Sequence, residues 1–299
     1  MFGLVLVKSW LKGPIVLQLS YFCRQISAAL NFFARTLRRW YRNIPKDERG
    51  HLLWGKFLRR LLLKLTLWFF GITIGFTLLY AILPVPVTPL MIQRCWQQAW
   101  DDDRDLRLRH DWVSYEELSP HLQLAVVCAE DQDFLEHEGF DFEAIEKAFK
   151  YNKNHKRKRG ASTISQQTAK NVFLWPSRSW LRKGFEVYFT FLIETIWSKK
   201  RIMTAYLNSI EFGDGIYGAE AAARHFYGKS AKELNRQEAA MLASVLPNPL
   251  IYKVEKPAAS VRQRQQWILG QMRMWGGKID YEEPNTPKKP EARGGSSKK

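Results

Sequence analysis

The sequence predicts an all-α protein in which one transmembrane helix precedes a helical domain. Three observations carry this. The run LTLWFFGITIGFTLLYAIL, Leu65 to Leu83, holds no charged residue and as a helix is long enough to cross a hydrocarbon core of about 30 Å. From Trp100 to about Gly277 the chain reads as almost wholly helical, with proline and glycine at the joints. At 299 residues there is length for one large or two modest domains with an ample core.

The formal net charge of +17, with a pI near 9.8, points to an anionic partner: nucleic acid, an acidic membrane or a phosphorylated substrate. Three cysteines, Cys23, Cys95 and Cys128, have no metal-ligand spacing and cannot all pair within one chain. Neither a disulfide framework nor a zinc site is indicated. Cys128 lies in an apolar run and reads as an inert core thiol.

Residues 1–56 alternate aromatic and aliphatic side chains with cations, Trp10, Phe32 and Trp40 beside Lys12, Arg35 and Arg42. This pattern suits a basic amphipathic helix on an anionic membrane surface; a helix packed on a partner, or an extension upstream of the true start, remain open. Residues 57–83 form the expected membrane helix with its flank. Arg59, Arg60 and Lys64 precede the apolar run and the nearest charge after it is Arg94, which puts the N-terminus in the cytoplasm and the rest of the chain outside it. The prolines of PVPVTP open a linker, 84–117. Residues 118–277 are the main domain, and 278–299 read as a disordered basic tail.

Within the main domain, Ser119 and Pro120 supply an N-cap and a first-turn proline for a buried helix through Leu122, Ala125, Val126 and Ala129. It ends in Glu130 and Asp131, where the helix dipole opposes negative charge. Burial there raises a carboxyl pKa, which suits a general base or acid; alternatively the two acids mark the turn to solvent. Asp141 caps a segment in which Phe142, Ile145 and Phe149 share a face. The basic loop Lys153 to Ala161 reads as a solvated charge run.

In GASTISQQTAKN, Ser162 or Thr163 can N-cap a new helix, and Gln166 and Lys170 share one face of it. Free N–H groups, a helix start and a lysine make a phosphate cradle; an ordinary capped helix with a polar wet face is the competing reading. No Walker glycine pattern is present. Ser179 to Asn208 contains no proline and is expected to form one long helix. Arg182 and Lys183 sit four and three residues before Glu186, as an exposed ion-pair cluster or, given Phe185, Tyr188, Phe189 and Phe191 around it, as a partly buried charged cleft. GDGIYG forms a tight turn into an alanine-rich helix ending near Gly228. Asn235 and Glu238 form a capping box for a helix that Pro247 ends, and the last helix runs from Ser260 to Trp275.

Taken together, these stretches resemble the peptidoglycan polymerases of glycosyltransferase family 51, and among them the monofunctional biosynthetic peptidoglycan transglycosylases. EDQDFLEHEGFD is similar to the first family motif, GASTISQQTAKN to the second, RKGFE with SKKRIMTAYLN to the third, GDGIYGAEAAARHFYGK to the fourth and EAAMLASVLPNPLIY to the fifth. They stand in family order from Leu118 to Tyr252. Ala161 replaces a glycine common in the second motif, and the long basic N-terminal segment is more than the family leads one to expect.

The resemblance implies a lysozyme-like, two-lobed helical domain without a transpeptidase domain. It implies polymerisation of lipid-linked disaccharide-pentapeptide (lipid II) into β-1,4 glycan, with inversion and release of undecaprenyl pyrophosphate. Glu130 is then the general base and Glu186 a second acid near the leaving pyrophosphate. Asp131, Phe134, His137, Ser162, Thr163, Gln166, Gln167, Lys170, Asn171, Arg182 and Lys183 are the expected substrate-binding residues. A divalent cation, Mg or Mn, is compatible with the site, and no cofactor is demanded. Expected partners are lipid II, the growing lipid-linked glycan, the bilayer, and cell-wall synthesis or division proteins, with no nucleic acid. The expected location is the inner membrane, single-pass, with the domain periplasmic. Two rivals stand beside this reading: a lysozyme-like hydrolase or lytic transglycosylase, which needs no cationic leaving-group site, and a membrane-anchored nucleic-acid or scaffold protein.

Overall fold

The computed structural model describes residues 54–100, 107–155, 160–177 and 179–276, together with Arg35, Ile279 and Tyr281. The expected surface helix in residues 1–53, the centre of the basic loop and the tail lie outside the described residues. Helix α1, Trp54–Ile82, contains the uncharged run and begins with the cations Lys56, Arg59, Arg60 and Lys64. Its 29 residues span about 43 Å, and it is long and apolar enough to cross a membrane. Leu62, Leu67, Trp68 and Phe70 on it are exposed, whereas a helix of a soluble core would bury them.

The chain divides at Ile72, and from Thr73 onward it forms a compact unit. In that unit the last turns of α1 are tied by side chains. The Trp197 indole donates to the Thr77 carbonyl at 2.8 Å, and the Arg201 guanidinium donates to the carbonyls of Tyr80 and Leu83. The Tyr80 carbonyl is one that a helix end leaves without an intrahelical partner, and Leu83 follows that end. Helix α2, Pro89–Ala99, follows at once, N-capped by Thr88.

The core is centred on α3, Pro120–Glu130. Ser119 caps it as expected, accepting from His121 N–H, and its hydroxyl also donates to the Leu234 carbonyl. Every residue from Leu122 to Cys128 is buried, so α3 is enclosed on all sides rather than on one stripe. It packs against α9, Arg236–Val245, and α10, Ala259–Met274. Burial pushes the Cys128 thiol up to about 12, which keeps it protonated and inert. Helix α4 is Phe142–Asn154, capped by Asp141. Helix α5, Ile164–Phe173, packs on α6, Trp180–Ile196, and α7, Lys199–Ser209.

The single helix expected over Ser179 to Asn208 is two. Trp197 turns into extended backbone and buries its ring, and Ser198 N-caps α7 by accepting from Arg201 N–H at 3.2 Å. A serine cap was the overlooked signal.

The glycine turn also holds more than a turn. Strands β1 (Arg109–His110), β2 (Glu211–Gly213) and β3 (Ile216–Tyr217) form a small sheet in the order β1-β3-β2, with β1 parallel and β2 antiparallel to β3. Gly215 has φ +70, and a Cβ there would lie 2.2 Å from the Arg107 carbonyl oxygen, so the hairpin requires glycine. Helix α8, Ala219–Tyr227, ends at Gly228 in the left-handed conformation. The Asn235–Glu238 capping box on α9 forms as expected.

Candidate active-site cleft

A cleft of about 1100 Å³ opens where α3 ends. The helix delivers Glu130 at its last residue, with the side chain 15% exposed. One carboxylate oxygen accepts from Gln167 Nε2 at 3.1 Å and the other from Arg264 Nη2 at 3.1 Å; the same Arg264 nitrogen also donates to the Ala129 carbonyl. Gln167 is oriented in turn, its Oε1 accepting from the Tyr206 hydroxyl at 3.2 Å. Burial raises the Glu130 pKa, and the Gln167 hydrogen bond and the charges of Arg264 and Lys170 oppose that rise. The result is a carboxylate with raised proton affinity that is nevertheless held by donors, the combination a general base requires.

Asp131 has a different task. Its carboxylate accepts from the Ile164 N–H at 2.8 Å, at the start of α5, and from His137 Nε2 at 2.9 and 3.1 Å. The Gly139 N–H donates to His137 Nδ1, which assigns the imidazole proton to Nε2. Asp131 therefore pins the end of α3 to the start of α5, where the helix dipole favours its charge. Asp131→Ala is expected to lower stability by about 2–4 kcal/mol, because it removes charged hydrogen bonds and leaves buried donors unmet. Thermal unfolding measures this, and an unchanged midpoint would remove the tie from the account.

The expected binding residues separate into two groups. Asp131, Ser162, Thr163, Gln167, Lys170, Asn171 and Arg182 line the cleft with Glu130. Four others do not line it. Phe134 is fully buried, edge-on to His137 with the Lys199 ammonium over its face, so it is core packing and not a substrate contact. His137 is spent on Asp131. Gln166 closes the capping box of α5 with Thr163, whose hydroxyl donates to the Gly139 carbonyl. Lys183 is turned to Glu186.

Glu186, 3% exposed, lies behind the cleft wall and resolves the two readings of its cluster in favour of burial. Its oxygens accept from Arg182 Nη1 at 2.6 Å and Lys183 Nζ at 2.5 Å. Lys170 makes no ion pair within 4 Å among the described residues. Burial lowers its pKa, Glu186 and Glu130 raise it, and Arg182 and Lys183 lower it. The cleft thus sets one carboxylate of raised proton affinity near a lysine whose countercharges stand off.

Both Glu186 oxygens are already taken by cations, and the described residues contain no group of three His, Cys, Asp or Glu that could hold a metal. Lys170 and Arg182 are cations that line the cleft beside Glu130.

Sequence reasoning missed Arg264, Tyr206, Arg94 and Glu211. Arg264 and Tyr206 reach Glu130 and Gln167 from helices distant in the chain, and no local spacing announces such a contact. Arg94 and Glu211 also line the cleft.

The transglycosylase family model matches residues 102–273. Similar relatives include the biosynthetic peptidoglycan transglycosylase of Bdellovibrio bacteriovorus, 54% identical over 215 residues, 72% of this chain and 86% of that protein. Those of Cronobacter sakazakii, 53% identical over 220 residues (74% and 91%), and Bacteroides thetaiotaomicron, 54% over 211 (71% and 85%), carry the same name. The matched span contains Glu130, Lys170, Arg182 and Glu186, and with an identity above half across most of each chain it leaves one conclusion: the protein belongs to the transglycosylase family.

Proposed function

We propose that this protein is a peptidoglycan polymerase that joins lipid-linked disaccharide-pentapeptide units into β-1,4 glycan. The observation that carries the reading is the pairing, in one cleft, of Glu130 with a cationic wall made of Lys170, which has no ion pair among the described residues, and Arg182, which Glu186 holds. Glu130 takes the proton from the acceptor 4-hydroxyl as that oxygen attacks the donor anomeric carbon. The new C–O bond forms as the bond to pyrophosphate breaks on the opposite face, which inverts the anomeric centre. Pyrophosphate leaves as an anion and needs cations rather than a protonating acid. Lys170 and Arg182 meet it, Glu186 holds Arg182 and Lys183 in place, and Glu130 then returns its proton to water.

A lysozyme-like hydrolase has no use for that cationic wall. Nucleic-acid binding would spread phosphate contacts over a surface, whereas these cations are gathered beside a buried acid. For location we propose that α1 spans the inner membrane with its basic end in the cytoplasm, so that the cleft works on the outer side where lipid-linked substrate is held. Exposed aromatic residues outside α1 support contact with the bilayer, Trp180 at 93% and Phe142 at 76% exposure among them. The test of the reading is the product: glycan made from lipid-linked disaccharide that a β-1,4-specific muramidase cuts back to disaccharide units. Resistance to that enzyme would reject the assignment.

Arg264 gives a further expected result. Its charge favours ionised Glu130, so Arg264→Gln raises the Glu130 pKa further. A base must be ionised to act, so the acid limb of the pH profile of kcat/KM moves to higher pH, and activity at neutral pH falls roughly tenfold. Arg264→Lys restores the charge and returns the limb. A loss of activity without any movement of the limb would show that Arg264 serves packing alone.

A further inference from the structure

The cleft contains a second polar cluster that the proposed chemistry does not use. Arg94 on α2 and Glu211 at the start of β2 both line it. Their closest approach is 3.8 Å, between Nη2 and Oε2, longer than a hydrogen bond. Arg94 Nη1 donates to Gln97 at 3.3 Å, while Nε is buried without a partner. Glu211, 6% exposed, accepts from the Tyr217 hydroxyl at a long 3.3 Å. Burial raises its pKa against the charge of Arg94. The groups that act on Glu211 are Arg94, Gly215, Tyr217 and Asp214, and those that act on Glu130 are Gln167, Arg264 and Lys170. The side chains that act most strongly on Glu211 and on Glu130 are thus different ones.

A third polar group lies on a helix that packs against α2. Helix α2 packs against α5, and Asn171 on α5 is 4% exposed, lines the cleft, and has a buried Nδ2 without a partner. Buried donors are seldom left unmet, because each costs about 1–3 kcal/mol. Arg94 and Asn171 both line the cleft, so they bring donor-bearing side chains to its wall where a ligand could supply acceptors. A lone arginine would suit phosphate. Here Glu211 cancels its charge, and a dianion would meet that carboxylate at close range. What fits is a neutral group that offers an acceptor and a donor side by side. Leu90, Leu246 and Pro247 add an apolar wall suited to a methyl group.

We propose that Arg94 and Glu211 recognise a neutral N-acyl amide of the substrate, Arg94 donating to its carbonyl oxygen and Glu211 accepting from its N–H. This rests on the polymerase reading above. Two parts of the substrate carry such a group, the acetamides of the sugars and the amides of the peptide stem.

The experiment measures initial polymerisation rates of the full-length protein in lipid, as wild type, Arg94→Gln and Glu211→Gln. Three substrates are compared: the native lipid-linked disaccharide-pentapeptide, one with hydroxyls in place of the acetamides, and one without the peptide stem. On native substrate each variant is expected to lose about tenfold in kcat/KM, mainly through KM. One analogue is expected to cost wild type a similar factor and the variants little more, and the analogue that does so names the source of the amide. The inference is overturned if both variants keep the wild-type KM. It is also overturned if analogue and variant losses multiply in full, or if only Arg94→Gln loses and its loss deepens steeply at low salt, the mark of phosphate. Should Glu211→Gln fail to fold, Arg94→Gln carries the same coupling test. Wild type that makes no polymer rejects the polymerase reading instead, so the two failures are distinguishable.

Discussion

Glu130→Gln is expected to reduce polymerisation by about a thousandfold while binding of lipid-linked substrate survives. The substitution keeps the shape of the side chain and an oxygen that can still accept from Arg264 or Gln167, so the cleft persists. What disappears is the carboxylate that accepts the acceptor's proton. Burial raises the Glu130 pKa, so wild-type activity should fall on the acid side as this group protonates, at a pH above that of an ordinary glutamate. The variant should show a flat, low profile in the same range. Turnover within a few-fold of wild type would remove Glu130 from the role of base.

Glu186→Gln should also cost at least about a hundredfold, by another route. The carboxylate is the shared partner of Arg182 and Lys183 and the first of the charges that support Lys170. Removing it takes the countercharge from the half-buried Arg182 and the more exposed Lys183, a loss of about 1–3 kcal/mol. It also withdraws support from the Lys170 ammonium, whose pKa is already lowered by burial. The sign follows: Lys170 must be charged to meet pyrophosphate, so its deprotonation forms the alkaline limb, and in Glu186→Gln that limb moves to lower pH. An unmoved limb with wild-type donor use would detach Glu186 from the leaving-group site.

Much of the fold can be read before any coordinates. Ser119, Asp141, Thr163, Asn235 and the glycines after the later helices act through neighbours within a turn, and such local hydrogen bonds are written in the sequence. The break at Ser198 carries a serine cap as its local mark, with no proline or glycine beside it. The ring of Trp197 is drawn into the core instead, and that force is tertiary. Strands of two and three residues are too short for a period-2 pattern to emerge.

The site divides in the same way. Glu130 and Glu186 stand in motifs whose surrounding apolar residues suggest buried charge, and Lys170 stands in one whose helix start suggests a phosphate cradle. Phe134, His137 and Gln166 belong to those motifs too, yet they fasten the scaffold: one packs, one orients Asp131 and one caps α5. Spacing alone does not separate a residue that holds the substrate from one that holds the residue beside it. Arg264 and Tyr206 come from helices far along the chain, and only packing brings Arg264 to Glu130 and Tyr206 to Gln167.

The most direct measurement incubates the purified full-length protein, in lipid, with lipid-linked disaccharide-pentapeptide and follows glycan length and released polyprenyl pyrophosphate together. The account predicts lengthening glycan and pyrophosphate released in step with each unit joined. Shortening of preformed glycan with no new polymer and no pyrophosphate would contradict it.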